Sequence, residues 1–500
     1  MRNTKELKKA FISYLPIFIL AFGFITVFSK CSPLYNFNNS PDETVIFEVG
    51  KRMFSGDVLY RDVIDQKGPF LFFIYGIASL ISKTSCIGLY LIEIICSFFS
   101  LVFAYKTITL KYSGTKAFLG LLFVASTVYC FPLNTYGGDT AELMMMPFLT
   151  YLYYVGFNYI YKQKQISYLN YLVIGITSGC ILWTKYTMLG IYVAWFIIPA
   201  ADMIKSKQIK KFINSCLMII LGVAISTAPW IIYFKANNFL KEFIDFYFFQ
   251  QAAYYTKLSI EQSIAISLIL ITTNFAIIIF ASIITLISYK KQQKTMPKRL
   301  IAYNLLIFVF LYIFIYIIGN GARIHYYLLE MFVLNIPGSM MLLYTFENAE
   351  KTFPIKNKKA FSKINKIIYV CLCVAVCITS SSTINYLGEK EESTPYYKFS
   401  QTVNSYNISN PKIYGNCIDA APFFKYMNCF ENYKYVSMLN CPFPDMIEHY
   451  QNGINNGDYD FIINVYSSDN YSNYTAIETV AYKYQGENIT FTLYANNKYL

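Results

Sequence analysis

The chain has 500 residues, 55% of them hydrophobic and 14% charged, whereas an ordinary soluble domain carries about 25% charged residues. So much apolar surface excludes a wholly soluble protein. Lys and Arg number 42 against 29 Asp and Glu, a net charge of +13; the basic residues cluster in short loops between long apolar runs, which removes a nucleic-acid partner from consideration and predicts an integral membrane protein.

The first apolar run, about residues 10–29, follows Arg2, Lys5, Lys8 and Lys9 and imitates a secretory signal. It is too long for one, lacks a small-residue cleavage site, and reads as a first span. Ten further stretches approach the roughly 18 to 25 residues a crossing needs: 85–106, 116–133, 140–160, 168–184, 187–204, 211–234, 262–289, 299–319, 324–346 and 365–384. The run 69–82 has only 14 residues, which suits an interfacial or re-entrant helix. With that run not crossing, the loops 1–9, 106–116, 161–167, 202–211, 290–299 and 347–366 share one side and hold 24 Lys and Arg against Glu6, Asp202, Glu347 and Glu350. That asymmetry is a positive-inside signal for eleven spans.

Two long loops, 30–68 and 235–261, and the tail then face outward. The expected fold is an all-α polytopic membrane protein, residues 1–384, with a short juxtamembrane helix at 69–82, followed by a small α/β extracytoplasmic domain, residues 385–500. The tail is rich in Asn, Tyr, Asp and Ser, with strand-like stretches at 459–465 and 489–494. The expected location is the cell membrane, multi-pass as in a bacterial inner membrane, with the tail periplasmic or extracellular. Cys31, Cys417, Cys429 and Cys441 would meet an oxidising compartment, and their spacing suggests no metal site.

The most informative segment is residues 41–69, PDETVIFEVGKRMFSGDVLYRDVIDQKGP. Ser40, Pro41 and Glu43 have the form of a capping box with proline at the first helical position, predicting a short helix that ends near Gly56. Asp42 and Glu43 sit at its N-terminus, where the dipole favours ionised carboxylates able to accept a proton or hold a cation. Plain capping explains the same residues.

Asp42-Glu43 after the first span, then Gly56-Asp57-Val58-Leu59-Tyr60, then Lys67-Gly68-Pro69 before a short surface helix resemble the C-type glycosyltransferases of the protein O-mannosyltransferase and lipid A aminoarabinose transferase kind. The likeness covers the first third of the chain closely and the remainder mainly by topology. It implies inverting transfer of a sugar from a polyprenyl-phosphate donor to a lipid, glycan or protein acceptor at the outer membrane face, with Asp42 as general base and Glu43 beside it. It names no certain cofactor and leaves a divalent cation open. The departing lipid phosphate needs fixed positive charge; candidates are Lys67, Arg61, Lys185, Arg323 and His325, with Tyr326 in a His-Tyr element that resembles one at the outer end of a late span in these enzymes. Headgroup anchoring explains Lys67 as well, snorkelling explains Lys185, and Arg323 and Glu330 are spaced to pair on one helical face.

The stretch Gly137-Gly138-Asp139-Thr140-Ala141-Glu142 again has capping-box form; by the same resemblance Asp139 or Glu142 orients the acceptor or binds a cation. Glu93 lies inside a span and should face protein or water. Abundant Tyr and Phe suit either a groove for sugar and prenyl chain or interfacial belts. A transporter or flippase of lipid-linked sugars, or a polymerase or ligase of lipid-linked glycans, would share the topology.

Overall fold

The computed structural model describes residues 4–130, 140–254, 257–283, 298–321, 325–352, 358–381, 383–427, 429, 434–436, 441–466, 470–484 and 487–500. Each predicted span is helical over most of its described length: α1 (Thr4–Phe28), α4 (Ile87–Ile108), α5 (Gly114–Tyr129), α6 (Ala141–Lys162), α7 (Tyr168–Leu182), α8 (Gly190–Lys205), α9 (Ile209–Ala236), α10 (Ile260–Asn274), α11 (Lys298–Tyr312), α12 (Asn335–Thr352) and α13 (Lys358–Ser380). Between α1 and α4 lie α2 (Pro41–Phe54) and α3 (Pro69–Ile81). Six helices among the described residues are long and apolar enough to cross a membrane, seven if Ile260–Asn274 and Ala276–Ile283, bent by 75°, form one broken span. Pro69–Ile81, Gly114–Tyr129, Tyr168–Leu182 and the apolar part of α1 are shorter, so eleven crossings are consistent with the structure. Rows such as Ile213, Leu217, Ile220 and Ile232 on α9 are exposed, as lipid contact requires of a spanning helix.

The segment between α1 and α4 is built by close backbone approaches. Helix α2 lies on α3 where a Cβ on Gly50 would come within 2.7 Å of the Gly76 nitrogen and the Phe72 carbonyl. A Cβ on Gly68 would meet the Trp183 carbonyl oxygen at 2.1 Å. Only glycine fits there, and the gap is closed by two backbone bonds: Gly68 N–H donates to the Thr184 carbonyl at 3.1 Å and Phe70 N–H to that of Trp183 at 3.0 Å. The Lys67-Gly68-Pro69 element is thereby fixed against the C-terminal end of α7. Tyr60, at φ 63°, donates its hydroxyl to the Lys67 carbonyl at 2.7 Å, and its ring lies among Phe234, Phe243 and Phe246.

The tail forms α14 (Pro395–Ser405), α15 (Ala421–Met427), α16 (Pro444–Asn456) and a four-stranded sheet of β1 (Ile413–Gly415), β2 (Phe461–Val465), β3 (Tyr474–Tyr484) and β4 (Glu487–Asn496). The strand order is β1-β2-β4-β3; β1 pairs parallel with β2, and β4 antiparallel with both β2 and β3. Phe399, Phe423, Phe461, Phe491 and Leu493 make its separate core. The α/β expectation and both strand stretches therefore hold. The sheet unit sits on the first outer loop: Ile64 N–H donates to the Lys434 carbonyl at 2.6 Å, and Phe37 stacks on Tyr396 with centroids 5.2 Å apart.

The expected capping box at Ser40 does not form. Ser40 makes no side-chain cap bond and its hydroxyl is unpartnered, because Glu43 is drawn instead to Lys425 of α15 at 2.9 Å. At α6 the cap is Thr140, whose hydroxyl accepts from Leu143 N–H at 3.2 Å; Glu142 is engaged elsewhere, and Asp139 lies outside the described residues. Glu93 faces protein as expected, accepting from the Ser29 hydroxyl at 2.6 Å.

Two predictions follow from this packing. Gly68→Ala forces the loop off α7; it should cost ~1–3 kcal/mol as a lowered melting temperature in detergent, and an unchanged melting temperature would contradict the contact. Lys30, just past α1, is 2% exposed, donates to Asn39 Oδ1 at 2.5 Å and lies 3.2 Å from the Tyr386 ring centroid. Burial lowers its pKa from 10.5 to about 7, against the opposing pull of Glu389. The folded protein thus holds fewer protons than the unfolded chain between about pH 7 and pH 10.5, and this group's contribution to stability rises with pH across that window. Lys30→Met should raise the melting temperature more at pH 6 than at pH 9; equal changes at both pH values would remove the buried lysine as the cause.

Candidate active site

Three arrangements meet where α2, the loop before α3, the N-terminal end of α6, the C-terminal end of α7, and the 3-10 helix His325–Leu334 converge. The first is Asp42. Its Oδ2 accepts the Tyr326 hydroxyl at 2.7 Å, and among the described residues its Oδ1 carries no hydrogen bond. Asp65, buried on the same loop, is raised in pKa by its burial and further by the Asp42 charge, while Lys67 acts in the opposite sense. Its Oδ1 accepts Lys67 N–H at 3.0 Å, which fixes the turn that presents Lys67.

The second is a buried triad. The Lys185 ammonium bridges Glu142 and Glu330, the latter at 3.0 Å, and stands 2.9 Å from the centroid of the Tyr327 ring. Thr187 donates to Glu330 Oε1 at 2.7 Å. Both carboxylates are almost fully buried, so snorkelling does not describe Lys185: it neutralises charge that the interior could not otherwise hold. Glu330, spaced to pair with Arg323, is held by Lys185 in the described structure.

The third is a cavity of about 470 Å³ whose lining includes Lys67, Lys185, Lys257, Tyr247, Gln251 and Tyr327. Lys67 and Lys185, 118 positions apart in the sequence, share it because Gly68 rests on the Trp183–Thr184 backbone. Tyr327 lines it beside Tyr326, so the residue that holds Asp42 adjoins the wall that carries the lysines.

The expected site residues divide accordingly. Asp42, Tyr326, Glu142 and Lys67 come together. Glu43 does not join Asp42: it turns the other way, fully buried against Lys425, with the Cys86 thiol 3.7 Å from its Oε1. Arg61 is 46% exposed and paired with Asp62 at 2.8 Å, on the outside of the loop. Asp139 and Arg323 lie outside the described residues, and for His325 only the backbone is described. Reasoning from the sequence passed over Asp65, Lys257 and Gln251. Asp65 stood in the quoted segment next to Lys67, while Lys257 and Gln251 lay in a loop with no recognisable pattern.

Residues 66–233 match the family model for dolichyl-phosphate-mannose-protein mannosyltransferase, about a third of the chain. No curated protein matches the chain. Two solved structures of ArnT from Cupriavidus metallidurans are similar to it, each at 11% identity and a TM-score of 0.59. The one bound to undecaprenyl phosphate covers 96% of this chain and 97% of its own; the one in the apo state covers 98% of both. The chain therefore has the fold of the C-type glycosyltransferases, with a mannosyltransferase family match carried by residues 66–233.

Proposed function

We propose that the protein is a membrane glycosyltransferase that moves a sugar from a polyprenyl-phosphate donor to a lipid, glycan or protein acceptor at the outer membrane face, with inversion and with Asp42 as general base. The observation that carries this reading is the Asp42 carboxylate held by Tyr326, whose chain neighbour Tyr327 lines a cavity that also carries Lys67, Lys185 and Lys257. The mannosyltransferase family match, and the undecaprenyl phosphate held by an ArnT of the same fold, support the donor class.

In this mechanism Tyr326 donates to one oxygen of Asp42, and the other takes the proton of the acceptor hydroxyl as it attacks the anomeric carbon. The C–O bond to the lipid phosphate breaks as the new glycosidic bond forms. The leaving phosphate needs no proton if cations stand where its charge develops, and Lys67 and Lys257 supply them. Lys185 contributes less, its charge being more than offset by Glu142 and Glu330; it ties those two carboxylates together and keeps that wall rigid. Tyr247, Phe248 and Tyr186 offer apolar faces to sugar or prenyl chain. Within residues 1–384 the spans hold the donor, and residues 385–500 shape access for the acceptor.

With labelled polyprenyl-phosphate sugars and purified protein, Asp42→Asn should lower transfer ~10²–10⁴-fold, the usual worth of a positioned base, and leave donor binding intact; full transfer by the variant would dismiss Asp42 as base. Lys67→Ala should weaken polyprenyl-phosphate binding about tenfold or more, as loss of a charge-assisted contact does; binding as tight as wild type would take Lys67 out of the phosphate site. A wild-type protein that transfers nothing to a broad acceptor panel yet carries lipid-linked sugar across vesicles would replace the enzyme by a transporter.

A further inference from the structure

On the face of α2 turned away from Tyr326, three chain segments bring together the Cys31 and Cys86 thiols and the Glu43 carboxylate, whose donor atoms all lie within 4.8 Å of one another. Cys31 is 4% exposed and Glu43 fully buried, and Cys86 is half-buried. The Lys425 ammonium reaches into the same cluster, 2.9 Å from Glu43 Oε2 and 3.1 Å from Cys86 Sγ. A cavity of about 570 Å³, lined by Cys31, Asn38, Cys86 and Lys425 among others, opens beside it.

We propose that Cys31, Cys86 and Glu43 bind one thiophilic divalent cation of the zinc class. Two sulfurs and one carboxylate oxygen select such an ion over magnesium or calcium, which take oxygen ligands. Tetrahedral zinc with bonds of about 2.3 Å to sulfur and about 2.0–2.2 Å to oxygen holds its ligand atoms roughly 3.5–3.8 Å apart, so closure of about 1 Å completes three positions. A water from the cavity takes the fourth.

Charge favours the same conclusion. Without the ion, two thiols, one carboxylate and the Lys425 ammonium sum to zero. When the ion binds, both S–H bonds break, their protons leave to solvent, and two thiolates, one carboxylate, the dication and the ammonium again sum to zero. The buried cluster stays neutral in both states, the condition for burying charge at modest cost. Lys425 moves only into the cavity it already lines, staying close enough to donate to a thiolate. An ion there ties the end of α1, the first turn of α2 and the start of α4 into one unit beside Asp42 and next to α15 of the tail.

The site does not depend on Asp42 being a base and is tested without activity. Tag-free full-length protein in detergent, purified without chelator or reductant, should take up one Co²⁺ per chain with a thiolate-to-cobalt charge-transfer band that Zn²⁺ displaces. The double variant Cys31→Ser, Cys86→Ser should lose the band and at least tenfold in affinity, while Cys371→Ser, at an exposed position on α13, keeps both. Should the double variant fail to fold, alkylation of the wild type decides: Zn²⁺ should slow labelling of Cys31 and Cys86 and leave Cys417 unchanged. Cobalt binding that survives the double variant, labelling rates indifferent to Zn²⁺, or a Cys31–Cys86 disulfide in the isolated protein with no metal uptake would each overturn the proposal.

Discussion

An ionised group at the edge of a low-dielectric layer survives only with its opposite within hydrogen-bonding reach, and the half of this protein that adjoins the C-terminal sheet unit is arranged around that constraint. Glu43 meets Lys425, Lys185 is shared by Glu142 and Glu330, and Glu48 meets Lys51 at 2.8 Å within α2. Each of the first two pairings joins elements far apart in the chain. Glu43 ties α2 to the tail; Lys185 ties α6 to the 3-10 helix that carries Tyr326. The electrostatic requirement thus also dictates which elements touch, and it places Tyr326 over Asp42.

The two members of the Asp42-Glu43 pair illustrate how neighbours in sequence part in space. Successive positions on a helix point about 100° apart, so when one carboxylate meets Tyr326 the next cannot. Asp42 retains an oxygen with no hydrogen bond among the described residues, which a base requires. Glu43 is locked into a buried ion pair, which suits holding the helix and its thiol neighbours. One acidic dipeptide therefore lies in two separate surroundings, Asp42 against Tyr326 and Glu43 against Lys425.

Backbone contact does the rest of the positioning. Gly68 against Trp183 and Gly50 against Gly76 leave no space for side chains, so the loop bearing Lys67 moves with α7 and α3 or not at all. Such contacts fix the backbone from which Lys67 starts, while its ammonium is carried on a flexible four-carbon stem.

Apolar runs of a length that crosses a bilayer, charge counted loop by loop, and a polar tail with alternating stretches were sufficient to read the helices, the short α3 and the small sheet unit from the sequence, because those properties depend on local hydrophobicity alone. The order of short motifs also singled out Asp42, Lys67 and Tyr326 as candidates, and the structure pairs the first with the last. The sequence could not decide between capping and catalysis for Glu43, nor that Lys185, read as snorkelling or as a phosphate cation, would pair with Glu142 and Glu330, nor that Cys31 and Cys86, 55 positions apart, would face one carboxylate. Those outcomes rest on long-range partners, Lys425 and Glu330 above all, and only the tertiary structure brings such partners within the few ångströms over which charges and thiols interact.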